Sequence, residues 1–295
     1  MNRALQALTA DPWAIVPGWL PLIAALAQRN HGAPEVAGAG DWQKRDYDLM
    51  AGPGAQRLPG AQRAYLIDGV AVLPVVGPIF PRANMMTEMS GATSVTMLQN
   101  DHRTALANPD VGAIMLMIDS PGGAVSGISA FADTVAAGSK KKQTVAFVSG
   151  QACSAAYWIG SAAPEIVIDK TGLVGSLGVV IGMSKQVAAD RDGYLDLEIV
   201  SSNAPNKRPD PTAEEGLAEI RGTLDAIEKQ FVTAVARGRN VSAEKVLSDF
   251  GRGGVKVGSD AVAAGMADRV QSYDATLTAM RRAVANQRKL ANLKQ

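Results

Sequence analysis

The hydrophobic positions of this chain fall into short continuous runs set apart by polar, glycine-rich breaks. "VGAIMLMID" (111–119), "TVAFVS" (144–149) and "EIVIDK" (165–170) are unbroken apolar runs, the pattern of strands buried on both faces. Between them "AVSGISAFADTVAAG" (124–138) reads as a helix closed by Gly138, and a small-residue helix follows "TVAFVS". Upstream, "AYLIDGVAVLPVVGPIF" (64–80) holds two strands around the tight-turn pair Asp68–Gly69. "GATSVTMLQNDHRTALANPD" (91–110) reads as a helix with Leu98, Ala105 and Leu106 inward and Pro109 just past its end. Downstream, "LDLEIVSS" (195–202) reads as a strand. Leu217, Ile220, Leu224, Ile227, Phe231 and Val235 recur at three- and four-residue steps and predict the strongest amphipathic helix of the chain. Runs near "AEKVLSDF" and "GSDAVAAGMADRV" complete the globular part, and the tail has helical propensity but loses its apolar stripe after Val284. Strand and helix alternating at this spacing predict an α/β fold with a parallel sheet and flanking helices. Sites in such sheets lie beyond the C-terminal ends of the strands.

The first 63 residues differ. "NHGAPEVAGAGDW" and "MAGPGAQRLPGAQR" are rich in Gly, Pro and Ala and read as loops or an extended arm. "PWAIVPGWLPLIAALAQ" (12–28) is apolar, but three prolines and a glycine interrupt it, so it suits neither a membrane span nor a signal peptide. We read it as an N-terminal helix that packs an apolar side on a neighbour. The expected division is therefore an irregular N-terminal arm (1–63), a main domain (64–273) and a C-terminal helical tail (274–295).

Composition narrows the function. The chain has 295 residues and a formal net charge of +1, which argues against a dedicated nucleic-acid binder. With no span predicted, we expect a cytoplasmic protein with no membrane partner. A single cysteine, Cys153, excludes intramolecular disulfides and cysteine-based zinc sites. Only two histidines, His31 and His102, make a histidine-rich metal centre a poor prospect and limit any serine–histidine mechanism to two candidates.

Two motifs fall at strand C-terminal ends. In "DSPGG" (119–123) the Gly122–Gly123 pair lets the backbone bend tightly and turn N–H groups into a crevice; the plain alternative is a tight turn. In "GQACSAAYWIGSAA" (150–163) Ser154 stands where a strand enters a helix, a turn that exposes a hydroxyl beside free backbone N–H groups. A helix cap is the plain alternative, yet the small neighbours Ala152, Ala155 and Ala156 leave room for a substrate chain. Cys153 is a rival nucleophile without a histidine nearby in sequence, and reads as buried packing. His102 falls on a helix away from the strand ends and reads as structural. Lys207, in "SSNAPNKRPDP", is a candidate base if burial neutralises its ammonium; otherwise it is a solvated loop charge. "TGLVGSLGVVIG" (171–182) lacks the lysine of a phosphate loop and reads as backbone packed closely on backbone.

Taken in order, "DSPGG…SGQACSAAYWIGSAA…GLVGSLGV", the later "FVTAVARGR" and "VGSDAVAAGMADRV" resemble the signal peptide peptidase A family of serine–lysine peptidases, over roughly residues 64–270. The resemblance implies a ClpP/crotonase-like spiral fold, Ser154 as nucleophile and Lys207 as general base. It also implies an oxyanion hole from the Gly122–Gly123 turn (Gly123 favoured) and the N–H of Ala155, with no metal or organic cofactor. In relatives the serine and lysine can come from adjacent subunits of a homo-oligomeric ring. "GVAVLPVVGPIFPRANMMTEMSGATS" looks like the phage and prophage head maturation (capsid assembly) branch. There the expected partners are scaffold, portal or capsid proteins inside an assembling head in the host cytoplasm. The alternatives are a cellular signal-peptide-remnant or quality-control peptidase, a non-catalytic shell component that keeps the fold, and a crotonase-type acyl-CoA enzyme.

Overall fold

The computed structural model describes residues 12–16, 18–20, 23, 54–83, 92–183, 199–293 and scattered positions between 186 and 197. The loops expected around residues 31–53 lie outside the described residues.

In chain order the strands are β1 (Trp13–Ile15), β2 (Gln56–Arg57), β3 (Tyr65–Ile67), β4 (Val70–Val76), β5 (Ile79–Phe80) and β6 (Thr93–Ser94). They continue as β7 (Ala113–Ser120), β8 (Gly122–Ala124), β9 (Gln143–Cys153), β10 (Glu165–Ile168), β11 (Leu173–Gly175), β12 (Val255–Val257) and β13 (Arg269–Val270). The helices are α1 (Val95–Ala107), α2 (Ile128–Gly138), α3 (Ala155–Gly160), α4 (Glu214–Arg239), α5 (Ala243–Asp249), α6 (Gly258–Ala263) and α7 (Tyr273–Asn292).

The described residues form a nine-stranded sheet running β12-β11-β9-β7-β4-β3-β2, with β10 on β9 and β13 on β10. Its centre, β4-β7-β9, is parallel, as the buried apolar runs predict. The β3–β4 hairpin turns through Asp68 (φ 47°) and Gly69 (φ 84°), two successive left-handed residues of the kind a two-residue hairpin loop demands. One face of the sheet packs on α1, α2 and α3 through Ile114, Leu116, Ile118, Phe131 and Tyr157. The other face packs Met115, Met117, Val145 and Phe147 on Leu277, Met280 and Val284 of α7. The apolar stripe of α7 ends where burial ends.

Three local expectations change. Helix α2 starts at Ile128 rather than residue 124, because Gly127 (φ 85°) turns the chain out of β8 just before it. Gly138 is the last helical residue, not a left-handed cap. It is small because a Cβ there would stand 2.6 Å from His102 Cε1. The described residues of 195–202 lie outside any strand, and Leu197 and Ile199 are exposed. A buried carboxylate also ties the segment before β3 to α1: Asp101 accepts the N–H groups of Gln62, Arg63 and Ala64 at 2.6–2.9 Å.

The N-terminal apolar run brings the largest change. Its described part is a strand, with helical residues only at 19, 20 and 23. Strand β1 joins β8, β5 and β6 in a four-stranded sheet. Pro12 and Pro17 bracket "WAIV", and a proline disfavours helix at the residue before it, so an extended stretch is what the bracket leaves.

Candidate active site

Strand β9 runs four residues past the expected end and delivers Ser154 at the start of α3. Ser154 has φ 53° and ψ −118°, a conformation that costs a non-glycine residue about 1–3 kcal/mol and persists only where the surroundings enforce it. The surroundings are hydrogen bonds. Ser154 N–H donates to Gly175 O at 2.8 Å, and Ser154 O accepts from Trp158 N–H at 2.9 Å. Strand β11 pairs with Gln151–Cys153, fixing the approach to the turn. Ser154 N–H is thus engaged, and Ala155 carries the first N–H of α3, a donor with no acceptor inside the helix.

"DSPGG" comes to the same place. Gly122 has φ 102°, and a Cβ on it would stand 2.2 Å from Ala14 O, 2.9 Å from Cys153 O and 3.0 Å from Ser154 Cβ. Only glycine lets the β7–β8 turn lie against the serine. Gly122 N–H donates to Ser120 Oγ (3.2 Å), which itself donates to Gly77 O (2.6 Å). Asp119 accepts Gln151 N–H at 3.1 Å, and a Cβ on Gly150 would collide with its carboxylate at 2.4 Å. Asp119 and Ser120 therefore tie the two motifs together. Sequence reading assigned them no task, although their place in the motif, just before the glycine turn, was the available signal.

Ser154 is buried, and its Oγ–H donates to Gly178 O at 3.4 Å. Lys207 is not its partner in this chain: it lies exposed at the end of the 3-10 turn Pro205–Lys207. Cys153 is buried, with its thiol pushed up to about 12 by desolvation and then by the Asp119 charge, so it holds its proton and is no nucleophile. His102 is buried edge-on to Phe131 with neither ring nitrogen hydrogen-bonded. Desolvation lowers it to about 4, which keeps it neutral in the core. Behind the site, Trp158 stacks on Phe231 of α4 at 4.6 Å and Tyr157 OH donates to Met266 O at 2.9 Å, so α3 is anchored from both sides. Among the described residues no group of three His, Cys, Asp or Glu side chains could hold a metal ion. Among them, too, no helix is long and apolar enough to cross a membrane.

Residues 136–287, beginning on α2 and ending on α7, match peptidase family S49. This chain belongs to that family. It is 30% identical over 234 residues to capsid assembly protease C of Escherichia phage lambda, an alignment covering 77% of this chain and 52% of that protein. It is 25% identical over 289 residues to head-tail preconnector protein GP5 of Enterobacteria phage P21, covering 95% of this chain and 57% of that one. It is also 29% identical over 229 residues to Protease 4 of Salmonella typhi, covering 77% and 35%. The chain thus spans about half the length of the two phage relatives. The S49 match contains Ser154, its elbow and Lys207; "DSPGG" precedes it.

Proposed function

We propose that this S49 chain is a serine endopeptidase with a Ser154–Lys207 dyad, built on a ClpP/crotonase-like spiral fold within residues 64–273. The observation that carries the reading is the strained elbow at Ser154, pressed against Gly122 with the N–H of Ala155 beside it. Neutral Lys207 Nζ accepts the Ser154 hydroxyl proton, and Oγ attacks a peptide carbonyl carbon. The tetrahedral oxyanion is held by Ala155 N–H and a donor of the Gly122–Gly123 turn. Collapse breaks the peptide bond as the lysine ammonium protonates the leaving amine. Water, deprotonated in turn by Lys207, then releases the acyl group from Ser154.

A dyad of this kind needs its lysine desolvated. Lys207 is exposed in the protomer, so the reading places it in the cleft of a neighbouring subunit of a homo-oligomeric ring. The substrates in this reading are scaffold, portal or capsid proteins of an assembling phage head; a capsid assembly protease and a head-tail preconnector protein among the relatives support it. The match to Protease 4 keeps a cellular quality-control peptidase as a second reading. The test is co-expression with the neighbouring head proteins, with products read by mass spectrometry. Cleavage that survives Ser154→Ala overturns the peptidase assignment. Cleavage restricted to unrelated denatured proteins favours the second reading.

A further inference from the structure

Strand β1 is the end strand of its sheet, and an isolated bridge to Val180 covers its outer side. Trp13 exchanges both backbone hydrogen bonds with Val180, each at 2.8 Å. On the other side β1 runs antiparallel to β8, in the register Trp13–Ala124, Ala14–Gly123, Ile15–Gly122. The flanking bonds Val16 N–H to Pro121 O (2.9 Å) and Val125 N–H to Pro12 O (3.2 Å) set the alternation of that ladder. In antiparallel pairing every second pair exchanges both bonds, so Ala14 and Gly123 form the hydrogen-bonded pair. The Ala14 carbonyl oxygen therefore takes the Gly123 N–H, and it crowds the same point beside Gly122 as Ser154 Cβ.

An extended peptide to be cut at Ser154 needs these same groups: a strand edge to pair with, and a donor for its carbonyl oxygen next to the serine. All are taken. Ser154 is fully buried, and Gly178 O, which accepts its hydroxyl, belongs to the segment that supplies Val180. The occupant is held by side chains pointing away from the ladder's chemistry. Trp13 and Ile15 are 2% and 3% exposed, and Trp13 packs edge-on against Phe80 at 5.8 Å in a cluster with Ile23, Ala92 and Ala124.

We infer that residues 12–16 of this chain occupy its own peptide-binding cleft, and that this strand must leave before a substrate segment can be seated on Gly123 beside Ser154. The inference rests on the reading of Ser154 as a peptidase nucleophile. Main-chain pairing makes the seat tolerant of sequence, whereas the Trp13 and Ile15 anchors make this occupant the resident one.

The full chain carrying Trp13→Cys and Val180→Cys tests this, because the paired positions face each other and Cys153 is buried. Oxidation should lock the strand; reduction should leave it without its largest anchor. The first readout, on a Ser154→Ala background, is binding of a fluorescein-labelled peptide copying residues 9–19. We expect the reduced form to bind at least about tenfold more tightly than the oxidised form, since apparent affinity scales with the open fraction. The second readout, with Ser154 present, is casein cleavage and labelling by a fluorophosphonate, expected only on reduction. Failure of the disulfide to form, or equal peptide binding in both redox states, overturns the inference. Equal cleavage in both states overturns it while sparing the peptidase reading. Redox-dependent binding with no cleavage or labelling in either state supports the occupied cleft and overturns the peptidase reading instead.

Discussion

The turn at Ser154 and the turn at Lys207 carry the two halves of one proposed chemistry, yet they are built differently. Ser154 is buried, strained and held by backbone bonds to Gly175 and Trp158. Lys207 sits exposed on a three-residue 3-10 turn whose own backbone bond is to Ala204. A strained hydroxyl within a packed frame is a finished part. An exposed side chain on a short turn has no such frame around it. In the proposed dyad, the serine's surroundings are built within this chain and the lysine's are not. The first half of α4 is unfinished in the same sense. Its stripe residues Leu217, Ile220, Leu224 and Ile227 are only half-buried, while Phe231 and Val235 are fully buried.

Removing Ser154 is the hardest blow to that contrast. Ser154→Ala is expected to lower kcat/KM by roughly 10,000-fold or more without loss of thermal stability, because only the hydroxyl is deleted. Lys207→Met should cost roughly 1,000-fold in kcat/KM while leaving the circular dichroism spectrum unchanged. Mixing the two inactive variants then separates one-subunit from two-subunit dyads. If the dyad spans subunits, random co-assembly restores about a quarter of the sites, each pairing an intact serine with an intact lysine. If activity does not return, the dyad is completed within one chain.

A smaller effect is expected at the glycine turn. Gly122→Ala places a Cβ against Ala14 O and Ser154 Cβ at a positive φ, and should cut activity by roughly 100-fold as the turn moves off the serine. Activity kinetics on the folded variant, checked by circular dichroism, measure it. His102 should touch stability alone. Its folded-state value of about 4 lies below the ordinary histidine value near 6.5, so the unfolded chain binds the extra proton. Its contribution is complete above pH 6.5 and is lost as pH falls towards 4, at most about 3 kcal/mol. His102→Leu should keep full peptidase activity and remove that part of the acid sensitivity in urea melts at pH 7.5 and 4.5. A loss of activity in that variant would restore His102 as a rival base and break the comparison.

Much of this was readable along the chain. Buried parallel strands announce themselves by unbroken apolar runs, and β4, β7, β9 and β10 stand where those runs are. The serine was legible because a strand running into small residues and a helix is a local pattern. Close packing expected in "GLVGSLGV" holds at Gly172 and Gly175, where a Cβ would meet Ile168 Cγ1 at 2.7 Å and Gly254 O at 2.4 Å, but not at Gly178, whose nearest neighbour would be 3.8 Å away. The proline-bracketed "WAIV" was misread as helix, since apolarity alone does not separate a short strand from a helical turn.

Sequence by itself determined the central parallel strands, the strand-to-helix turn at Ser154 and the family to which the chain belongs. Tertiary structure alone decided what lies around that turn. Asp119 reaches Gln151, Gly178 receives the serine hydroxyl, and Ala14 covers Gly123 from more than a hundred residues away. These are backbone and short-range polar contacts between distant segments. An N–H or carbonyl is chemically the same at every residue, so no side-chain pattern marks which distant partner it will meet. Burial of Ser154 and exposure of Lys207 were decided in the same way, by which segments close over each turn once the chain has packed.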